Sequence, residues 1–243
     1  MNPWCITGSI NFMVQQLTLS VALRDDARFA NFYVGQNSQN QQIVHALKQQ
    51  WEPQGELLVY LCGVSGVGVS HLLQAACHYA EGLGYQSIYL PLDEMAEYGP
   101  AVLEGIEQLS LVALDNLQTV AGKPEWEQAL FHLFNRVRDG GNRLLVGADA
   151  PATQIPVALP DLQSRLSWGA TFVLQALNDE EKLAALQWRA KHRGLNLSEE
   201  VGRYILTRGP RDMSGVFSLL DTLDQASLAQ QRKLTIPFIK PFV

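Results

Sequence analysis

Leu57-Leu58-Val59-Tyr60-Leu61-Cys62 runs directly into Gly63-Val64-Ser65-Gly66-Val67-Gly68-Val69-Ser70. The first six residues form an apolar run that ends at glycine, as expected of a strand buried on both faces of a parallel sheet. Behind Ser70, the apolar residues Leu72, Leu73, Ala76, Cys77 and Ala80 recur at helical spacing until Gly82 and Gly84 close the segment. A strand, a glycine-rich turn and a helix in that order make a phosphate-binding loop. Glycines let backbone N–H groups converge on phosphate oxygens, and the helix N-terminus adds a favourable dipole. Ser65, Gly66, Val67, Gly68, Val69, Ser70 and His71 are the expected contacts. A glycine-rich turn with no ligand is the plainer alternative. One position departs from the pattern. Val69 stands where a lysine would reach the outer phosphates, while Ser70 keeps a hydroxyl suited to a metal ion.

Working outward, the same alternation repeats. Strand-like runs at 87–90, 109–114, 143–146 and 171–174 are separated by helical stretches, of which 125–138 is the clearest. Strands alternating with helices predict parallel βαβ units and a sheet covered on both faces. After residue 176 the strand signals stop. Asn178 with Glu181 three residues on predicts a capping box, Leu183, Leu186 and Ala190 form one stripe, and Gly194 ends that helix. Ser198 is expected to cap a second helix. Gly209-Pro210 breaks the chain, Met213, Val216, Phe217, Leu220 and Leu223 define a third helix, and a short fourth begins near Thr235. The expected class is α/β, with a compact all-helical unit after it. The boundaries are an N-terminal segment over 1–23, an α/β domain over 24–175 and a helical domain over 176–243.

Composition supports an ordinary folded chain. It has 243 residues, 47% of them hydrophobic and 17% charged, and three cysteines without Cys-x-x-Cys spacing. Cys5, Cys62 and Cys77 read as small apolar fillers in a reducing compartment. No run reaches the roughly 18 apolar residues of a membrane-spanning helix, and residues 1–12 carry no secretory signal, so a cytoplasmic location and no membrane partner are expected. Met13 is an alternative start. The five histidines lack metal-ligand spacing, so zinc chemistry is not expected. The net charge of −6 divides into −8 over residues 1–175 and +2 over 176–243. An acidic larger part disfavours a broad DNA-binding face. The basic last third could face a polyphosphate, although Arg189, Lys191 and Arg193 read more simply as a solvated helix face.

A second chemical element sits on the strand at 109–114, which ends in Asp115-Asn116. An aspartate at the C-terminal edge of a buried strand beside a phosphate loop is placed, with Ser70, to hold magnesium. The next residue would ordinarily be a carboxylate that polarises the attacking water. Asn116 is an amide and cannot act as a general base. With Val69 also uncharged, retention of a nucleoside diphosphate is expected rather than rapid turnover.

Taken together, these elements resemble the AAA+ ATPases, and more narrowly the DnaA-related replication family with its short Hda branch, over nearly the whole chain. Phe29-Ala30-Asn31-Phe32-Tyr33-Val34-Gly35-Gln36-Asn37 is similar to the family segment near the nucleotide base. The resemblance implies base-side contacts from Phe32, Tyr33 and Asn37. Asp149 falls at the sensor 1 position. Leu162-Gln163-Ser164-Arg165-Leu166-Ser167-Trp168-Gly169 resembles box VII, with Arg165 as an arginine finger acting in trans. Pro210-Arg211-Asp212-Met213 resembles sensor 2, with Arg211 on the phosphates of its own chain. Gln16-Leu17-Thr18-Leu19-Ser20-Val21 is similar to the Hda-type clamp-binding peptide, with Gln16, Leu17, Leu19 and Val21 as anchors. Ser20 and Val21 depart from the usual Pro-Leu, and an ordinary edge strand is the plainer reading of six residues.

The resemblance implies an AAA+ P-loop domain followed by a helical lid, binding ADP or another nucleoside diphosphate with Mg as an optional companion. It implies DnaA and the DNA polymerase III sliding clamp as partners, and inhibition of replication initiation by stimulating ATP hydrolysis on DnaA. The chain ends after the lid segment, so no sequence-specific DNA reader is expected. A homodimer through the finger face stays open. So do two other functions: an autonomous P-loop ATPase or kinase, and a DNA-binding or helicase-loading AAA+ factor.

Overall fold

The computed structural model describes residues 23–35 and 38–243. Gln16, Leu17, Leu19 and Val21, together with Cys5 and Asn37, lie outside the described residues. Five parallel strands, β1 (Leu58–Cys62), β2 (Ser87–Pro91), β3 (Leu111–Asp115), β4 (Arg143–Ala148) and β5 (Ala170–Val173), form one sheet in the order β2-β3-β4-β1-β5. Around it run α1 (Ser38–Gln49), α2 (Val69–Gly82), α3 (Leu92–Met95), α4 (Pro124–Asp139) and α5 (Pro160–Leu166). The helical unit follows as α6 (Asp179–His192), α7 (Glu199–Arg208), α8 (Met213–Gln230) and α9 (Ile236–Ile239).

Period-two alternation divides each strand between two cores. Leu58, Tyr60 and Cys62 of β1 join Val112, Leu114, Leu144 and Val146 on the face covered by α4 and α5. Val59 and Leu61 join Ala113, Leu145 and Tyr89 on the face covered by α1 and α2. Because both faces are covered, the strands read as continuous apolar runs. The lid has its own core, built by Leu186, Ala190, Val201, Ile205, Val216, Leu220, Leu223 and Phe238.

The capping box forms as expected: Asn178 Oδ1 accepts the Glu181 N–H at 2.9 Å, and Glu181 Oε2 accepts the Asn178 N–H at 3.0 Å. Ser198 caps α7, and Asp212 caps α8 by accepting the Gly215 N–H at 2.8 Å. Cys62 and Cys77 are buried, as read. One expectation is overturned. Arg189 is not on a solvated face: its side chain is 7% exposed and pairs with Asp26. Arg193, also read as solvated, pairs with Asp221 within the lid. No helix among the described residues is long and apolar enough to cross a membrane.

Candidate functional site

All strands run the same way, so their C-terminal ends open on one side of the sheet, and a cleft of about 720 Å³ lies there beneath the lid. Its size suits a nucleotide, since small-molecule sites span roughly 300–1,000 Å³. Among the sequence-expected contacts, Phe32, Tyr33, Ser65, Gly66, Val67, Gly68, Val69, Ser70, His71, Asp115, Asp149 and Arg211 all line it. The loop conformation depends on glycine. Gly68 has φ of +108°, and a Cβ there would come within 2.8 Å of the Phe32 ring. Asp212 of the lid packs against Gly66, so the lid meets the phosphate loop directly.

The segment from Arg24 to Tyr33 straps the two domains together. Its Arg24 N–H donates to Gln74 Oε1 at 2.9 Å, while His71 Nε2 and His78 Nε2 each lie 3.0 Å from a backbone carbonyl of the strap. Arg189, from α6, bonds Asp26 Oδ2 on the strap, and its guanidinium covers the Phe217 ring at 5.1 Å. Burial would raise the Asp26 pKa, but the Arg189 hydrogen bond and the Arg24 and Arg189 charges bring it below the ordinary carboxylate value. Tyr33 reaches the lid as well, with its ring 5.9 Å from that of Trp188.

His71 connects the strap to solution pH. Burial pushes its pKa below the ordinary 6.5, outweighing the hydrogen bond to the Arg28 carbonyl, which raises it. The folded state therefore favours the neutral ring. The stability this confers is complete above pH 6.5 and is lost as pH falls below that value through the folded pKa. We expect the thermal midpoint to fall on acidification from pH 7 through this window. His71→Phe should flatten that slope while keeping the ring contact with Phe32, and an unchanged slope in the variant would assign the effect elsewhere.

Asp115 ends β3 at the floor of the cleft and is 1% exposed. Its Oδ2 accepts the Tyr89 hydroxyl at 2.7 Å, and its Oδ1 accepts the Asn116 N–H at 2.9 Å. Burial and the Asp115 charge push the Tyr89 phenol well above its usual pKa, so it remains a donor. Gly147 of β4 leaves the carboxylate its room, because a Cβ there would lie 2.7 Å from Asp115 Oδ1. Asn116 adopts φ of 58°, a left-handed conformation that asparagine tolerates better than glutamate. Its side-chain amide donates to Asp93 Oδ1 at 2.8 Å. Each Asp115 oxygen is thus engaged by one protein donor, and a magnesium ion gripped directly at about 2.0–2.1 Å would have to share its oxygen with the Tyr89 hydroxyl or the Asn116 N–H.

Arg165 is held elsewhere. It sits in the last turn of α5 and lines a small separate cavity with Leu58, Phe134, Arg138 and Trp168, not the phosphate cleft. Its side chain makes no hydrogen bond or ion pair among the described residues. Trp168 beside it is 61% exposed, with the Arg138 guanidinium 5.9 Å from its ring.

Comparison with known proteins agrees with this geometry. Residues 23–173 match the family described as bacterial DnaA ATPase domain, and residues 179–243 match the one described as Hda, lid domain. The chain belongs to the bacterial DnaA ATPase family. It carries the Hda type of lid and the AAA+ fold expected from the sequence. Domain III of the Thermotoga maritima replication initiation protein DnaA is similar over 91% of this chain and 99% of its own, with a TM-score of 0.73 and 20% identity. AMPPCP-bound DnaA from Aquifex aeolicus is similar over 83% of this chain and 66% of its own (TM-score 0.68, 24% identity). The Thermotoga maritima RuvB branch migration motor shares the fold more distantly, at a TM-score of 0.64 and 14% identity over 86% of this chain and 69% of its own.

In this DnaA-family chain the structure also adds site residues that the sequence did not disclose. Arg24, Lys182 and Phe217 line the cleft. Arg24 and Lys182 are already paired, with Asp26 at 3.4 Å and Asp179 at 3.3 Å, whereas Arg211 makes no ion pair among the described residues. Asn40 is buried against the cleft and exchanges bonds with the Gln175 backbone. Glu127, buried in α4, fastens the loop ahead of α5. Its signal was an acid on the same helix face as Leu130 and Phe134.

Proposed function

We propose that this chain restrains replication initiation: it holds a nucleoside diphosphate, docks on the DNA-loaded sliding clamp through Gln16–Val21, and supplies Arg165 to ATP-bound DnaA. The hydrolysed ATP belongs to the partner. One observation carries the reading: Arg165, whose side chain has no partner among the described residues, lines a cavity apart from the phosphate cleft, and that cleft lacks the usual means of cutting its own nucleotide. Val69 provides no charge, Asn116 is tied to Asp93, and Arg165 lines a cavity separate from the cleft. The diphosphate is held by the N–H groups of Gly66–Ser70, by the α2 N-terminus and by Arg211 from the lid. Asp149 completes the cleft wall with a negative charge.

The deciding experiment adds this protein and loaded clamp to ATP-DnaA and follows ADP formation. Stimulation that vanishes with Arg165→Ala supports the proposal, and stimulation that survives it sinks the finger assignment. Hydrolysis by the chain alone at about 1 s⁻¹ or faster, the low end for kinases, would favour an autonomous enzyme instead.

Nucleotide preference gives a second test. Without a lysine at residue 69, a third phosphate gains no cationic partner from the loop and meets the Asp149 carboxylate. ADP should bind about tenfold more tightly than ATP in calorimetry, a difference of ~1.4 kcal/mol. Equal affinities would remove this argument.

A further inference from the structure

Ser70 and Asp115 are the two groups that a phosphate-loop protein would turn toward a magnesium ion, yet here a third residue stands between them. Tyr89 projects from β2 on the α2 side of the sheet and reaches across its neighbour β3, where its hydroxyl donates to Asp115 Oδ2 at 2.7 Å. Ser70 and Gln74, on successive turns of α2, have their polar groups beside the same hydroxyl. The other carboxylate oxygen of Asp115 is engaged by the Asn116 N–H. A phenol O–H thus provides what a cation would provide, a positive pole facing the carboxylate, without the net charge.

Resting on the proposed diphosphate site, we infer that this chain binds its nucleoside diphosphate without a divalent cation, because the Tyr89 hydroxyl occupies the bridge between Ser70 and Asp115. The phosphates are then met by backbone N–H groups, the α2 dipole and Arg211, all of which act on a diphosphate with no metal as intermediary. The arrangement also removes a means of cleaving a third phosphate. A metal that bridges the outer phosphates normally neutralises the charge developing in transfer.

The full chain is titrated with ADP in calorimetry, once with excess magnesium and once with a chelator, for wild type and for Tyr89→Phe. The dissociation constants of the wild type should agree within about threefold, whereas a loss of tenfold or more on chelation overturns the inference. In Tyr89→Phe the carboxylate loses its donor, and ADP binding should become at least several-fold tighter with magnesium than without. A variant as indifferent to magnesium as the wild type would overturn the role given to Tyr89. Manganese resonance with ADP present gives a second readout: protein-bound Mn²⁺ should appear in the variant and not in the wild type. Failure to bind ADP under either condition would instead overturn the nucleotide reading, and this inference with it.

Discussion

Arg165→Ala is expected to remove stimulated ATP hydrolysis on DnaA while nucleotide content, clamp binding and fold stay as in the wild type. An arginine supplied in trans to phosphoryl transfer is worth about 10³ to 10⁵ in rate. The local structure allows such a loss without collateral damage. The Arg165 guanidinium makes no bond within the described residues, so its truncation strands no buried partner there. Its position in the last turn of α5 places the guanidinium at the negative end of a helix, which stabilises the cation without a carboxylate to quench it. Leu58, Phe134 and Trp168 wall the same small cavity, and a partner that covers it would exclude water around the charge. Arg165→Lys should recover only a small part of the rate, since an ammonium lacks the planar fork that spans two phosphate oxygens. Full activity in the lysine variant would show that charge alone suffices. Unchanged activity in the alanine variant would place the catalytic cation on another residue.

The parts of this site legible in the sequence are those encoded by neighbours along the chain. Leu58 to Ser70 carries its own strand, turn and helix signals, and Asn178 with Glu181 carries both halves of a capping box. The apolar runs in the sequence coincide with the strands to within two residues; β3 begins at Leu111 and β4 runs on to Ala148. Other features are pairings between distant segments. Arg189 finds Asp26 across 163 positions, so a charge pattern within α6 could only suggest solvent. Tyr89 looked like an ordinary strand residue, because its hydroxyl acquires meaning only when β2 lies beside β3. The helix α1 carries little sequence signal because glutamine and asparagine fill much of Ser38–Gln49, and its fully buried apolar anchors are Ile43 and Leu47. Nothing in the polar composition of that stretch distinguishes a packed helix from a loop.

Glu127→Ala should destabilise the α/β domain by on the order of 3 kcal/mol, because a buried donor left without its acceptor costs about 1–3 kcal/mol and three backbone donors depend on this carboxylate. Glu127 is 1% exposed and accepts the N–H groups of Gly122 at 2.7 Å, Ala158 at 2.9 Å and Leu159 at 2.7 Å. Leu159 is the N-cap of α5 and has no side-chain cap of its own, and Glu127 of α4 satisfies its backbone N–H as the acid of a capping box would. The loop it secures leads through Pro160 into the helix that ends at Arg165, so the consequence extends from stability to activity. In urea titrations the midpoint of Glu127→Ala should drop while the slope is retained, which marks a loss of stability rather than a change in unfolded compactness. Glu127→Gln, which keeps one acceptor but points an amide N–H₂ at the remaining donors, should fall between the two. Stimulation of DnaA should decline in both variants more steeply than ADP binding, since the loop that Glu127 secures leads directly into α5 and Arg165, whereas the glycine-rich loop and Arg211 lie on other elements. A midpoint within the usual ±0.5 kcal/mol of a neutral surface substitution would mean that the loop ahead of α5 is held by packing and not by this carboxylate.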